Sequence, residues 1–234
     1  MAAVQFSPTL PSNLAEAERQ SSIGPSSSIG QTGLLLSGGG ARAAYQVGVL
    51  AAIAELRRAR GLQHGPNPFP VLAGTSAGAI NVAALACHAD AFDSAVRRML
   101  HVWGHMHTEQ IYKADSLSVL RSGARWLTLL SLGWALARWS RMRPRSLLDN
   151  APLKTLMNSG LMPFERIPQL IDSGHLHALA ITASSYSSGQ HITFFQTREA
   201  LSPWVRDQRK AVRTLLTADH LLASSALPFI FPAM

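Results

Sequence analysis

The chain has 234 residues, of which 47% are hydrophobic and 15% charged, with one cysteine and a net charge of +8. That length and apolar content suit one sizeable domain with a buried core. The lone Cys87 excludes an internal disulfide framework and a cysteine-built zinc site. The arginine-rich positive balance favours anionic partners such as membrane lipid or acidic substrates, and no zinc-finger or aromatic-and-basic RNA-binding signature argues for nucleic acid.

Residues 1–31 are rich in Ser, Pro and small polar residues and read as a disordered leader, with the folded domain covering 32–234. No basic n-region followed by an apolar stretch marks a secretory signal. The uncharged apolar run Trp126 to Ala137 falls short of the ~20 residues that a spanning helix needs. The expected location is therefore cytoplasmic, with peripheral membrane contact left open.

Leu34–Leu36 reads as a short buried strand, followed by Ser37 and three glycines, Gly38, Gly39 and Gly40. A helix is predicted from Ala43 to Arg60, with Tyr45, Val49, Ala52, Ile53 and Leu56 on its buried face. Gly61 to Pro68 is a loop. Phe69–Ala73 is a second apolar strand that runs through Gly74, Thr75, Ser76, Ala77 and Gly78 into a helix from Ala79 to about Cys87. Strand, glycine turn, helix, repeated twice, implies an α/β fold: a mostly parallel central sheet flanked by helices.

Further on, Asp90 to His107 reads as a helix. Arg121 to Arg143 reads as a stretch with Trp126, Leu129, Leu130, Trp134 and Ala137 on one face, and Ser146 to Leu153 as a cap and helix start. Leu176–Ala183 and His191–Gln196 form a hairpin about a turn at Tyr186–Gly189. Arg206 to Ala223 is predicted helical, and Phe229–Phe231 begins a further strand.

Gly74-Thr75-Ser76-Ala77-Gly78 has the G-x-S-x-G form. Its mechanics are a sharp strand-to-helix turn that lifts a serine into a cleft at the carboxyl end of a parallel sheet. The bland alternative is a packing turn made of small residues. The first glycine turn leaves backbone N–H groups at a helix N-terminus, a place for an anion. That anion is either a bound phosphate or an oxyanion formed when a serine attacks an ester. Gly38-x-Gly40-x-x-Ala43 also fits a dinucleotide fingerprint, but that reading wants an acidic residue at the end of the second strand, where Gly74-Thr75-Ser76 stands.

Together the two turns resemble those of the patatin-like phospholipases. Gly38-Gly39-Gly40-Ala41-Arg42 matches the family's oxyanion loop, and Gly74-Thr75-Ser76-Ala77-Gly78 its nucleophile elbow. Ser146-Leu147-Leu148-Asp149 and Ala223-Ser224-Ser225-Ala226-Leu227-Pro228 are also similar to family segments. The resemblance implies a three-layer α/β/α fold and hydrolysis of acyl esters of lipids by a Ser–Asp dyad, with no metal and no cofactor. It gives Ser76 the role of nucleophile and the Gly38, Gly39, Gly40 and Ala41 backbone that of oxyanion hole. Arg42 either anchors the loop or meets a lipid phosphate.

Two departures stand out. Ala43 occupies a position where the family usually has glycine. No aspartate here is followed by glycine, so the family's catalytic Asp-Gly motif is expected beyond Met234, and the domain is expected to be incomplete at its C-terminus. A serine without its base is a weak nucleophile, so the alternative reading is a catalytically inactive lipid- or partner-binding module. His101, His105 and His107 read as surface histidines rather than a metal site. His220, beside Asp219, reads as a structural histidine rather than a triad base. The oligomeric state is not legible.

Overall fold

The structure, a computed structural model, describes residues 32–105 and 162–226. The leader, the Arg121–Arg143 and Ser146–Leu153 stretches, His107 and the Phe229–Phe231 strand lie outside the described residues. Among the described residues six strands form one sheet, ordered β1-β2-β3-β4-β6-β5.

Strands β1 (Gly33–Leu36), β2 (Val71–Thr75) and β3 (Ala178–Ser184) are parallel, with Leu36, Gly74 and Ile181 in register. The first strand is not buried as predicted: among the described strands it stands at the end of the sheet order, and Leu35 is 78% exposed. The second strand starts two residues later than predicted. Pro70 has no N–H to give a ladder; its carbonyl instead accepts the amides of His177 and Ala178. β4 (His191–Thr197) returns antiparallel to β3, Ala178 opposite Thr197 and Ser184 opposite His191. Gly189, at φ 67°, makes the intervening turn.

The predicted Arg206–Ala223 helix is wrong in its first half. Trp204–Arg206 (β5) and Arg209–Arg213 (β6) form an antiparallel hairpin, and β6 lies parallel to β4. Asp207 takes a positive φ of 43° in the two-residue turn, a conformation that aspartate tolerates better than most residues. Only Ala218–Ser225 is helical.

Helix α1 (Ala43–Ala59) follows β1, and α2 (Ala77–Ala86) follows β2. The helix α3 (Phe92–Gly104) comes next, then the short α4 (Ile167–Asp172) and α5 (Ala218–Ser225). One core joins Leu72, Leu179 and Ile181 of the sheet to Val47 and Leu50 of α1, Val82 of α2, Val96 of α3, and Leu221 and Leu222 of α5. Full burial of each large aliphatic side chain contributes about 1.5–3 kcal/mol.

The face predicted for α1 is also corrected. Ala43, Val47, Leu50 and Ala54 are buried, whereas Tyr45 is 79% exposed and Val49, Ala52 and Leu56 lie outward; of the predicted face, Ile53 alone packs against the core, half-buried. Both stripes have helical spacing. The small residues Ala43 and Ala54 let α1 approach its neighbours, and close packing outranks side-chain size here. Helix α3 lies within the predicted Asp90–His107 span and buries Phe92, Ala95, Val96 and Met99.

Arg166 clamps the connection between α2 and α3. It donates to the Cys87 carbonyl at 3.0 Å and pairs with Asp90 at 2.8 Å. Burial, reinforced by nearby Glu165, pushes the Cys87 thiol up to about 12, so it remains an inert, neutral core group.

Thr217 caps α5 through a reciprocal box. His220 Nδ1 accepts the Thr217 N–H at 3.1 Å, and its ring lies edge-on to Phe194, 4.7 Å between centroids. His220 is thus the structural histidine that the sequence suggests. Burial holds its imidazole below the ordinary 6.5, against the opposing pull of Asp219. The folded state therefore keeps His220 neutral where the unfolded chain protonates it. Its contribution to stability is present above pH ~6.5 and declines as pH falls through the depressed folded value. His220→Gln keeps an acceptor for the cap and removes the titration. The expected outcome is a shallower loss of melting temperature below pH ~6.5 than in the wild type; parallel curves for the two proteins would disprove the linkage.

Candidate active site

Ser76 is the single residue between the end of β2 and the start of α2, and it sits at φ 54°, ψ −128°. Among the described non-glycine residues only Ser76 and Asp207 have positive φ. Such a conformation costs about 1–3 kcal/mol and persists only where the surroundings enforce it.

The flanking glycines are required by contact. A Cβ on Gly74 would lie 2.7 Å from Ala79 Cα and Val82 Cγ2. One on Gly78 would lie 2.5 Å from the Ser37 carbonyl oxygen and closer still to that of Leu36. Helix α2 thus leaves the elbow with its backbone pressed against the end of β1. The elbow and the glycine loop meet at the same place: a Cβ on Gly38 would lie 3.1 Å from Ser76 Cβ and 3.8 Å from its Oγ.

The loop then climbs through Gly40, at φ 54°, into a single 3-10 turn, Gly40–Arg42, that opens α1. The Arg42 amide is spent on the Gly39 carbonyl at 3.1 Å, while among the described residues the Gly38 and Gly39 amides have no acceptor. Two free N–H groups beside a serine hydroxyl, with two helix N-termini close by, favour negative charge there. Gly39, Gly40 and Ala41 are exposed, as is Thr75, and Ala77 is buried under the elbow. Arg42 is exposed, and its guanidinium makes no hydrogen bond or ion pair among the described residues, so no side-chain contact supports loop anchoring. Ala43 is fully buried at the start of α1.

Three residues that the motif reading did not assign hold the two turns in place. Asn81, 1% exposed on α2, donates through Nδ2 to the Ala43 carbonyl at 3.1 Å and to Gln46 Oε1 at 3.0 Å. Gln46 in turn donates to the Ser37 carbonyl at 2.8 Å, at the root of the glycine loop. Trp103 of α3 completes the network by donating its Nε1–H to Asn81 Oδ1 at 2.9 Å. A lone asparagine within the apolar run Ala77–Ala86 is the one sequence sign of such a buried polar node.

On the other side, Ser224 Oγ accepts the Ser76 amide at 2.7 Å and donates to the Thr182 carbonyl at 2.6 Å. Beyond it, the Tyr186 hydroxyl at the β3–β4 turn donates to the Ala226 carbonyl. Asp90 and Asp93, which pair with Arg166 and Arg58, and Glu199, whose carboxylate lies 3.2 Å from His177 Nε2, do not engage Ser76. The rings of His101 and His105 lie 4.4 Å apart, and among the described residues no three His, Cys, Asp or Glu side chains are grouped to hold a metal.

The model of the patatin-like phospholipase family matches residues 34–234. The chain therefore belongs to that family. Comparison with curated proteins gives no match. Among solved structures, the chain is similar to one in the heterodimeric ExoU–SpcU complex from the type III secretion system of Pseudomonas aeruginosa, at 22% identity and a TM-score of 0.31. The likeness covers 70% of this chain and 32% of the other, so this chain spans about a third of that chain's length.

Removing the Asn81 side chain takes away the partners of the half-buried Trp103 Nε1–H and Gln46 Oε1. Asn81→Ala should cost about 1–3 kcal/mol of stability, read as a lower urea midpoint at unchanged slope. An unshifted midpoint would show that the network contributes nothing.

Proposed function

We propose that this patatin-family chain is the nucleophile-bearing part of a serine hydrolase that cleaves fatty-acyl esters of phospholipids and related lipids. The observation that carries the reading is the strained Ser76 at a strand–helix turn, with the Gly38 backbone against it and, among the described residues, unpaired amides beside it. Ser76 Oγ attacks the acyl carbonyl carbon while an aspartate, acting in a Ser–Asp dyad from beyond Met234, takes its proton. The carbonyl oxygen becomes an oxyanion, and the amides of the Gly38–Ala41 loop receive it. Collapse expels the alcohol, which recovers the proton, and leaves an acyl-serine. Water then repeats the sequence and releases the fatty acid. One oxyanion donor is typically worth ~10²–10³ in rate.

The family match supports a lipid acyl ester as substrate, and the net charge of +8 suits work at an anionic membrane surface. On this reading the protein is cytoplasmic and visits the membrane peripherally. On the same reading Arg42 meets a lipid phosphate, a role that its exposure supports.

The test is fluorophosphonate labelling and phospholipid hydrolysis by the natural full-length protein and its Ser76→Ala variant. Wild-type labelling that vanishes in the variant, with hydrolysis falling to background, is the expected result. Undiminished hydrolysis by Ser76→Ala would refute the reading. A folded wild-type protein that neither labels nor turns over would favour the non-catalytic binding module instead.

A further inference from the structure

We infer that Ser224 is a positioning residue for the nucleophile: its hydroxyl replaces one rung of the parallel sheet and sets the direction of the Ser76 peptide. The inference rests on the reading of Ser76 as nucleophile and adds a residue to its machinery.

The β2–β3 ladder ends with Thr75 opposite Thr182. In a continuing parallel ladder the next amide on β2, that of Ser76, would reach towards the carbonyl of Thr182. The chain turns away from β3 at that point, because Ser76 enters the elbow at φ 54°. Left alone, the turn would strand a donor on one strand and an acceptor on the other, at the half-buried end of the sheet. Ser224 fills the gap. It is supplied by α5, whose length brings the hydroxyl between the two strands, and it bonds both groups at 2.7 Å and 2.6 Å.

A serine suits this task because its hydroxyl donates once and accepts as well. The proton lies towards Thr182, since a carbonyl can only accept. The lone pairs therefore face Ser76, and the direction of the bridge is defined.

Two consequences follow for the chemistry. The Ser76 amide is already occupied, so it is withdrawn from the set of oxyanion donors, which leaves that work to the loop amides beside it. The bridge also restrains the peptide leading into Ser76, and with it the Cα–Cβ bond that aims the hydroxyl. A displacement of about 1 Å at a reacting atom can cost ~10²-fold in rate.

The experiment compares wild type, Ser224→Ala and Ser224→Thr in the natural full-length protein, with Ser76→Ala alongside. Hydrolysis is measured as separate kcat and KM, fluorophosphonate labelling as a rate, and the Ser76 amide by hydrogen exchange. Ser224→Ala should lower kcat and the labelling rate together, by ~10–10²-fold, with KM nearly unchanged. Its Ser76 amide should exchange faster, and Ser224→Thr, which keeps the hydroxyl, should restore all three. A folded Ser224→Ala protein with wild-type labelling and kcat overturns the inference. So does rapid exchange of the Ser76 amide in the wild type, a measurement that needs no variant to fold. Ser76→Ala separates the two levels of the argument. If that variant remains active, the nucleophile assignment falls; if it is dead while Ser224→Ala is unimpaired, only the role of Ser224 falls.

Discussion

The close approach of two backbones is the constraint on which the rest depends. Helix α2 begins so near the end of β1 that no side chain fits at Gly78, where the Leu36 and Ser37 carbonyls occupy the space of a Cβ. Gly74 meets the same limit against Ala79 and Val82. With side chains excluded, the strand–helix turn after β2 and the glycine loop after β1 are forced into one another's company. Gly38 ends up against Ser76 because nothing separates the parts that carry them. Parallel pairing of β1 with β2, Leu36 opposite Gly74, puts both turns at the same end of the sheet. A ligand site at that end is what this arrangement of strands permits.

Contact brings the turns together, but hydrogen bonds decide where each one points. Two polar systems do this from opposite sides. Asn81 reaches back from α2 to the first residue of α1 and, through Gln46, to the carbonyl before the glycine loop. Ser224 reaches in from α5 and joins the elbow to β3. Both Asn81 amide hydrogens have acceptors and its carbonyl has a donor. A polar group buried to this degree would be a liability if half-satisfied, whereas a completed network gives a single defined geometry. Ser76 needs that definition, since its backbone lies in a sparsely populated region.

Legibility in the sequence followed the range of the interaction. Local signals worked for the existence of β1 and β2, the glycine turns after them and the hairpin about Gly189, though not for the burial of β1, whose Leu35 is 78% exposed. Where two local patterns compete, only tertiary contact chooses. Helix α1 carries two apolar stripes at the same spacing, and the Ala43, Val47, Leu50 and Ala54 stripe faces the core, with small residues at its two ends. Arg206 to Arg213 lacks glycine and proline, so it reads as helix. A hairpin forms instead, because β4 offers an edge for β6 and Asp207 accepts a left-handed turn. The candidate nucleophile and its loop were legible as motifs, since their glycines are local necessities. Asn81 and Ser224 were not legible as supports. Ser224 acts on residues 148 and 42 positions away along the chain, and no periodicity records such a bond.

The division of labour between local and distant parts bears on how such a site works. Electrostatic stabilisation and positioning need only backbone amides and a rigid frame, and β1, β2 and their two turns bring both together. Proton transfer needs a titratable partner, and on the proposed reading an aspartate outside this frame supplies it. The two contributions are comparable: one oxyanion donor is worth ~10²–10³ in rate, and a positioned general base ~10²–10⁴. Neither substitutes for the other, because the base generates the nucleophile while the amides receive the charge that its attack creates. Ser224 stands at the junction of the two. It takes up the one amide that belongs to Ser76 itself, and on the proposed reading this leaves the serine's hydroxyl, rather than its backbone, as the group presented to a substrate.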